Sequence, residues 1–185
     1  MKQLTQYIQE KLHISNYKEE KYKVGDIIDN YELNGRKYNL VCCISGNQIK
    51  DNIPRFIVDD ETECKWGSDI SIKSVDKNDI NGKENTNKII INSKGCNDDI
   101  AAVEIINNFN SKVYLPSIGE LDIIYKNINK IKNKLKNIDF LGVYWSSSQY
   151  SESQAYTCQF NVLRNNIYHN YKYIPQKIFG IIQIK

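Results

Sequence analysis

Ser117-Ile118-Gly119-Glu120 is a capping box, and these four residues constrain the fold of this chain more than any others. A serine hydroxyl at the N-cap accepts the amide of the third helical residue, and the glutamate there reaches back to the N-cap amide. Pro116, just ahead, biases Leu115 away from helical geometry. An apolar stripe follows through Leu121, Ile124, Tyr125, Ile128, Ile131, Leu135 and Ile138. Lysines 130, 132, 134 and 136 crowd the far end, where they favour the macrodipole. A helix therefore starts at Ser117 and runs to Ile138, and the rest of the chain must be arranged around it.

Strand signals flank this helix on both sides. Tyr22–Ile28 alternates; Tyr31–Leu33 and Arg36–Ile44 surround Asn34-Gly35, a hairpin turn whose two residues tolerate positive φ. Arg55–Val58 reads as a further short strand. A long polar stretch runs from Lys65-Trp66-Gly67 to Asp98, irregular in pattern, with Lys88–Ile91 its only apolar run. A second helix is expected over 98–109, capped by Asn97 or Asp98, with Ile100, Val103, Ile106 and Phe109 as its stripe. After the long helix come Gly142–Ser148 and then three strand-like runs, Ala155–Leu163, Ile167–Tyr173 and Lys177–Ile184, with a turn at Arg164–Asn166 between the first two. These elements predict an α+β domain over residues 22–185, with two helices and a mainly antiparallel sheet.

Residues 1–21 stand apart. Leu4, Tyr7, Ile8 and Leu12 fall at helical spacing, and a charged linker, Asn16–Lys21, follows. So short a helix is marginal in water alone. It packs on its own domain or docks onto a larger assembly; the second reading makes these four residues a partner-docking face. The opening residues lack the apolar run and cleavage site of a signal peptide, so the chain is expected to be made and kept in a cytoplasm or freed by lysis.

A net charge of +3 with dispersed lysines gives no footprint for nucleic acid, and no run approaches the roughly 20 apolar residues of a membrane span. Five cysteines, one adjacent pair among them, fit neither a disulfide framework nor a zinc site, and reduced buried thiols are expected. The two histidines, His13 and His169, offer little to a catalytic triad. Asp59-Asp60-Glu61 and Asp98-Asp99 read as a solvated loop and a helix start rather than calcium ligands. No enzyme activity, metal or cofactor is expected. The tyrosine-rich C-terminal end, with Tyr144, Tyr150, Tyr156, Tyr168, Tyr171 and Tyr173, suits sugar faces or protein contacts, although some of these rings must be core. Tyr150, Tyr168, Tyr171 and Tyr173 are the binding residues expected. Strand alternation puts Tyr171 and Tyr173 on one face and Tyr168 on the other.

The order Lys65-Trp66-Gly67, Gly82–Ile89, Ala101-Ala102, Tyr114–Leu121, then Tyr144-Trp145-Ser146-Ser147-Ser148 and Tyr150 resembles one family. It is similar to the C-type-lectin-like domains related to the formylglycine-generating-enzyme fold. These recur in Bacteroides surface proteins, in a collagen-like bacterial adhesin and in phage receptor-binding proteins. The resemblance implies architectural roles for Leu115, Pro116, Ser117 and Glu120 at a helix start, and for Trp66 and Trp145 as core anchors. It implies no oxidase, because that activity needs two closely spaced C-terminal cysteines and only Cys158 lies there. The family's arginine-rich ending is replaced by Ile174-Pro175-Gln176-Lys177. Residues 1–15 resemble leaders of crAss-like phage virion proteins. Together these imply a non-catalytic virion component that holds other virion proteins through its N-terminal segment, meets a surface glycan or protein receptor, and leaves room for a homo-oligomer. The alternative is a carbohydrate-binding or adhesin domain on the surface of a Bacteroides-type cell.

Overall fold

The strongest apolar runs are continuous rather than alternating, as in strands buried on both faces. A computed structural model describes residues 21–67, 70–94, 100–162 and 166–185. In it β1 (Ile27–Leu33), β2 (Arg36–Ile44), β3 (Arg55–Cys64), β4 (Val113–Tyr114), β5 (Val143–Gln149), β6 (Gln154–Gln159), β7 (Ile167–Tyr171) and β8 (Gln176–Gln183) form one sheet. The order is β1-β2-β3-β8-β5-β6-β7, with β4 also paired to β8. Every pairing is antiparallel except β5 with β8, which meet in parallel at Tyr144 and Lys177.

Alternate residues feed two cores. Leu40, Cys42, Phe56, Val58, Trp145 and Ile182 point to one face, covered by α1 (Gly82–Asn92) and α2 (Ala101–Asn108). Val41, Cys43, Ile57, Tyr144, Phe179 and Ile181 point to the other, covered by α3 (Ile118–Ile131). Among the described residues three helices, rather than two, sandwich a mixed α+β sheet. Residues 1–20, with Leu4, Tyr7, Ile8 and Leu12, lie outside the described residues.

The hairpin turn has Asn34 at φ 49 and Gly35 at φ 74, the left-handed pair that a two-residue turn needs. A Cβ at Gly35 would meet nothing within 4 Å, so only backbone strain opposes a side chain there. Gly35→Ala is therefore expected to cost about 1 kcal/mol, measured by chemical denaturation.

Elsewhere the structure corrects the sequence-based boundaries. Residues 82–92, expected to be irregular, are helical, because their buried face is Gly82, Asn85, Thr86 and Ile89, a helical period written mostly in small and polar residues. Thr86 Oγ donates to the Gly82 carbonyl at 2.8 Å and accepts the Leu115 amide at 3.1 Å. The first strand begins at Ile27 instead of Tyr22, because Gly25 at φ 97 and a turn in which the Asp26 carboxylate accepts the Lys23 amide occupy the preceding residues. α2 begins after Ile100, its N-cap, which bridges to Lys65; Asn97 and Asp98, the caps expected from the sequence, lie outside the described residues.

The long helix ends at Ile131 rather than Ile138, followed by a single 3-10 turn, Lys132–Lys134. There the buried Asp59 carboxylate accepts the Lys136 and Asn137 amides at 3.0 Å and draws the chain out of helical geometry. Asp59-Asp60-Glu61 is accordingly strand, not solvated loop, and β3 runs on to Cys64. Glu61 accepts from the Tyr144 hydroxyl at 2.6 Å and pairs with Lys177 at 2.7 Å.

Candidate attachment surface

The tyrosines separate by strand geometry. β6 and β7 pair with Tyr156 opposite His169 and Gln154 opposite Tyr171, so these four side chains share the α3 face of the sheet. Tyr150, where β5 turns into β6, lays its ring flat on His169, with centroids 4.0 Å apart and 3° between planes. It also meets Tyr156 edge-on at 5.2 Å. Tyr171 and Tyr173 stack at 5.6 Å. Tyr150 is 43% exposed, Tyr171 47% and Tyr173 58%, which is enough for each to present a ring face to a partner. Burial, with Tyr150 beside it, raises the Tyr156 hydroxyl above its ordinary value, so this hydroxyl stays a neutral donor and acceptor.

Tyr168 is exposed but sits beside Thr157 on the opposite face, and the fold does not bring it to the other three. Tyr144 is core: it packs against Phe140, Phe160 and Phe179, and burial and the Glu61 hydrogen bond push its hydroxyl far above the usual tyrosine value. No sequence signal marks His169 for binding. Its role as the ring under Tyr150 depends on the β6–β7 register, which no local pattern reveals.

The motif residues are interior. Trp66 and Trp145 are fully buried, their indole N–H groups donating to the Ser146 carbonyl at 2.7 Å and the Cys64 carbonyl at 3.1 Å. Leu115, Pro116, Ser117 and Glu120 are buried as well. Glu120 Oε2 accepts the Ser117 amide at 2.9 Å, and Ser117 Oγ accepts the Glu120 amide at 3.4 Å. Glu120 Oε1 accepts from the Tyr114 hydroxyl at 2.9 Å and from Arg55 Nε at 3.3 Å. Burial raises the Glu120 carboxyl, while these donors oppose the shift.

Arg55 and Glu120 floor an open cleft of about 180 Å³, with Asp51, Lys83 and Glu84 at its mouth. Despite partial burial, the Arg55 guanidinium holds Asp51 below the usual carboxylate range. Each of these carboxylates already has a cationic partner: Asp51 and Glu120 share Arg55, and Glu84 pairs with Lys88 at 2.6 Å. No local pattern signals this cluster, because Arg55 and Glu120 are 65 positions apart.

Among the described residues no group of three or more His, Cys, Asp or Glu side chains could hold a metal ion. Cys42, Cys43, Cys64 and Cys158 are buried. Burial pushes the Cys43 thiol well up and the Cys158 thiol to about 12, so both stay protonated at neutral pH. No helix among the described residues is long and apolar enough to cross a membrane.

No protein-family model matches this chain, and no curated protein matches its sequence. The fold, however, is shared with a solved structure. A fimbrial protein from Bacteroides ovatus superposes with a TM-score of 0.59 over 88% of this chain, at 9% identity. The chain spans about half of that protein, 49% of its length. The likeness is one of fold: a mainly antiparallel sheet with helices on both faces.

Proposed function

We propose that this chain is a non-catalytic attachment domain of a bacterial cell surface, contacting its partner through the rings of Tyr150, Tyr171 and Tyr173. The observation that carries the reading is the exposed aromatic face built by β6, β7 and the turns around them. Flat rings with polar rims suit both sugar faces and protein contacts, and ordering them costs little entropy. The fold shared with part of a fimbrial protein supports a cell-surface setting. A lectin-like identity rests on the motif order from Trp66 to Tyr150. A virion setting rests on residues 1–15, and on the docking role given there to Leu4, Tyr7, Ile8 and Leu12.

Tyr150→Ala, Tyr171→Ala and Tyr173→Ala are each expected to weaken binding about tenfold in a glycan array or cell-adhesion assay while leaving the melting temperature unchanged. Unchanged binding by all three variants would remove the tyrosine face as the site. Tyr168→Ala, on the other side of the sheet, serves as the control and is expected to bind normally.

A further inference from the structure

The sheet has two edges, and they are unlike. β1 carries Asp29 and Glu32, and its ladder breaks between Ile28 and Tyr31, where Asn30 takes φ 55. Charges and a bulge of this kind keep a second strand away. β7, at the other edge, reads Ile-Tyr-His-Asn-Tyr, with no acidic residue, lysine or proline, and keeps one register from Ile167 to Tyr171. The adjacent lysine, Lys172, is 1% exposed, turned inward where it guards nothing. Among the described residues no strand pairs with the outer side of β7.

The backbone there is ready to pair. The Asn166 carbonyl accepts the Gln159 amide at 2.8 Å, and the Lys172 amide donates to the Ser153 carbonyl at 3.0 Å, so both point at β6. Antiparallel alternation then turns the N–H and C=O groups of Ile167, His169 and Tyr171 outward. The Tyr171 carbonyl already accepts the Ile174 amide at 3.0 Å, and its second lone pair remains free to accept another donor. A second β7 laid antiparallel about a two-fold axis at His169 satisfies this row. His169 exchanges both backbone bonds with its own copy, and Ile167 comes opposite Tyr171, an aromatic–β-branched pair of the kind that stabilises sheets. No charge on β7 meets its like.

We propose that β7 is a self-association edge, through which two copies of this chain pair antiparallel about His169 and join their sheets into one. The occupant is a second copy because the strand's outward hydrogen-bonding groups match their own two-fold copy, Ile167 meets Tyr171 across it, and no Asp, Glu, Lys or Arg on the strand opposes the pairing. Pairing also places two Tyr150–His169–Tyr171 faces side by side on one continuous surface.

Sedimentation velocity over a concentration series tests this without any ligand, so its outcome is separate from that of the binding assay. The wild-type chain is expected to sediment at twice its mass of 21.6 kDa as concentration rises. His169→Lys and His169→Glu each put like charges at the two-fold axis and are expected to weaken association at least about tenfold. An equimolar mixture of the two is expected to restore it. His169 is exposed, so both variants are expected to keep the wild-type circular dichroism spectrum. As a measurement needing no variant, the Ile167, His169 and Tyr171 amides of the wild-type chain are expected to gain hydrogen-exchange protection with concentration. A wild-type chain that stays monomeric at every concentration overturns the proposal. So does association indifferent to both substitutions, or a mixture that fails to associate.

Discussion

Glu120→Ala is expected to lower the unfolding free energy by about 4 kcal/mol, read as a shifted urea midpoint at unchanged slope. Glu120 is 1% exposed, and its two oxygens serve three elements. One accepts the Ser117 amide at 2.9 Å and the Ser117 hydroxyl at 3.0 Å, closing the first turn of α3. The other accepts from Tyr114 on β4 and Arg55 on β3. Alanine leaves Arg55, itself 3% exposed, with only the half-exposed Asp51 for a charge, strands the Tyr114 hydroxyl, and uncaps the helix. The loss of an uncompensated buried partner sets the size of the effect, because an exposed ion pair of the same length contributes at most about 1 kcal/mol. The site is also packed from outside: a Cβ at Gly82 would lie 2.2 Å from Glu120 Oε2. A smaller loss from Glu120→Ala, of the size of a cap alone, would show that Arg55 finds water through the cleft.

The second large effect is a pH dependence centred on Lys172. Its ammonium donates to the Ile70 carbonyl at 2.6 Å and to Gln149 Oε1 at 2.8 Å, and lies 4.5 Å above the Trp66 ring. Among the described residues no carboxylate contacts it, and Glu152 acts only at a distance. Burial lowers the group from its ordinary 10.5 to about 8. Between those values the unfolded chain binds more protons than the folded one, so this lysine makes stability rise with pH across the window, and below pH 8 its full cost is present. The rise is on the order of 3 kcal/mol. Burial of Tyr114, Tyr144, Cys43 and Cys158 acts in the opposite sense at similar pH, because each of these is raised. The measurement is therefore a difference: unfolding free energies of wild type and Lys172→Met at pH 8 and pH 10. Wild type should gain on the variant as pH rises, and parallel curves would show that Lys172 reaches solvent.

What the sequence disclosed was whatever its neighbours in the chain decide. Asn34-Gly35 and Ser117–Glu120 each carry their own geometry within four residues, and the structure has a turn and a helix start at those places. α1 was hidden because its inward face is Gly82, Asn85 and Thr86, residues that hydrophobic patterning counts as loop. The end of α3 was hidden because Asp59, nearly eighty positions away, competes for the amides of Lys136 and Asn137. The same limit applies at the surface. Alternation sorted Tyr168 from Tyr171, but the stacking of Tyr150 on His169 needs the β6–β7 register, and Lys172 in a tyrosine-rich segment gives no sign that it is buried.

The position of β8 has a consequence in time. It is the last strand of the chain and lies in the middle of the sheet, paired with β3 on one side and with β4 and β5 on the other. β1–β3 make one half-sheet and β5–β7 another, and Gln176–Gln183 is the segment that joins them. Native pairings as distant as Arg55 with Gln183 make such a fold slow to assemble. The domain cannot close until β8 has been made, and until then its two half-sheets stay unjoined.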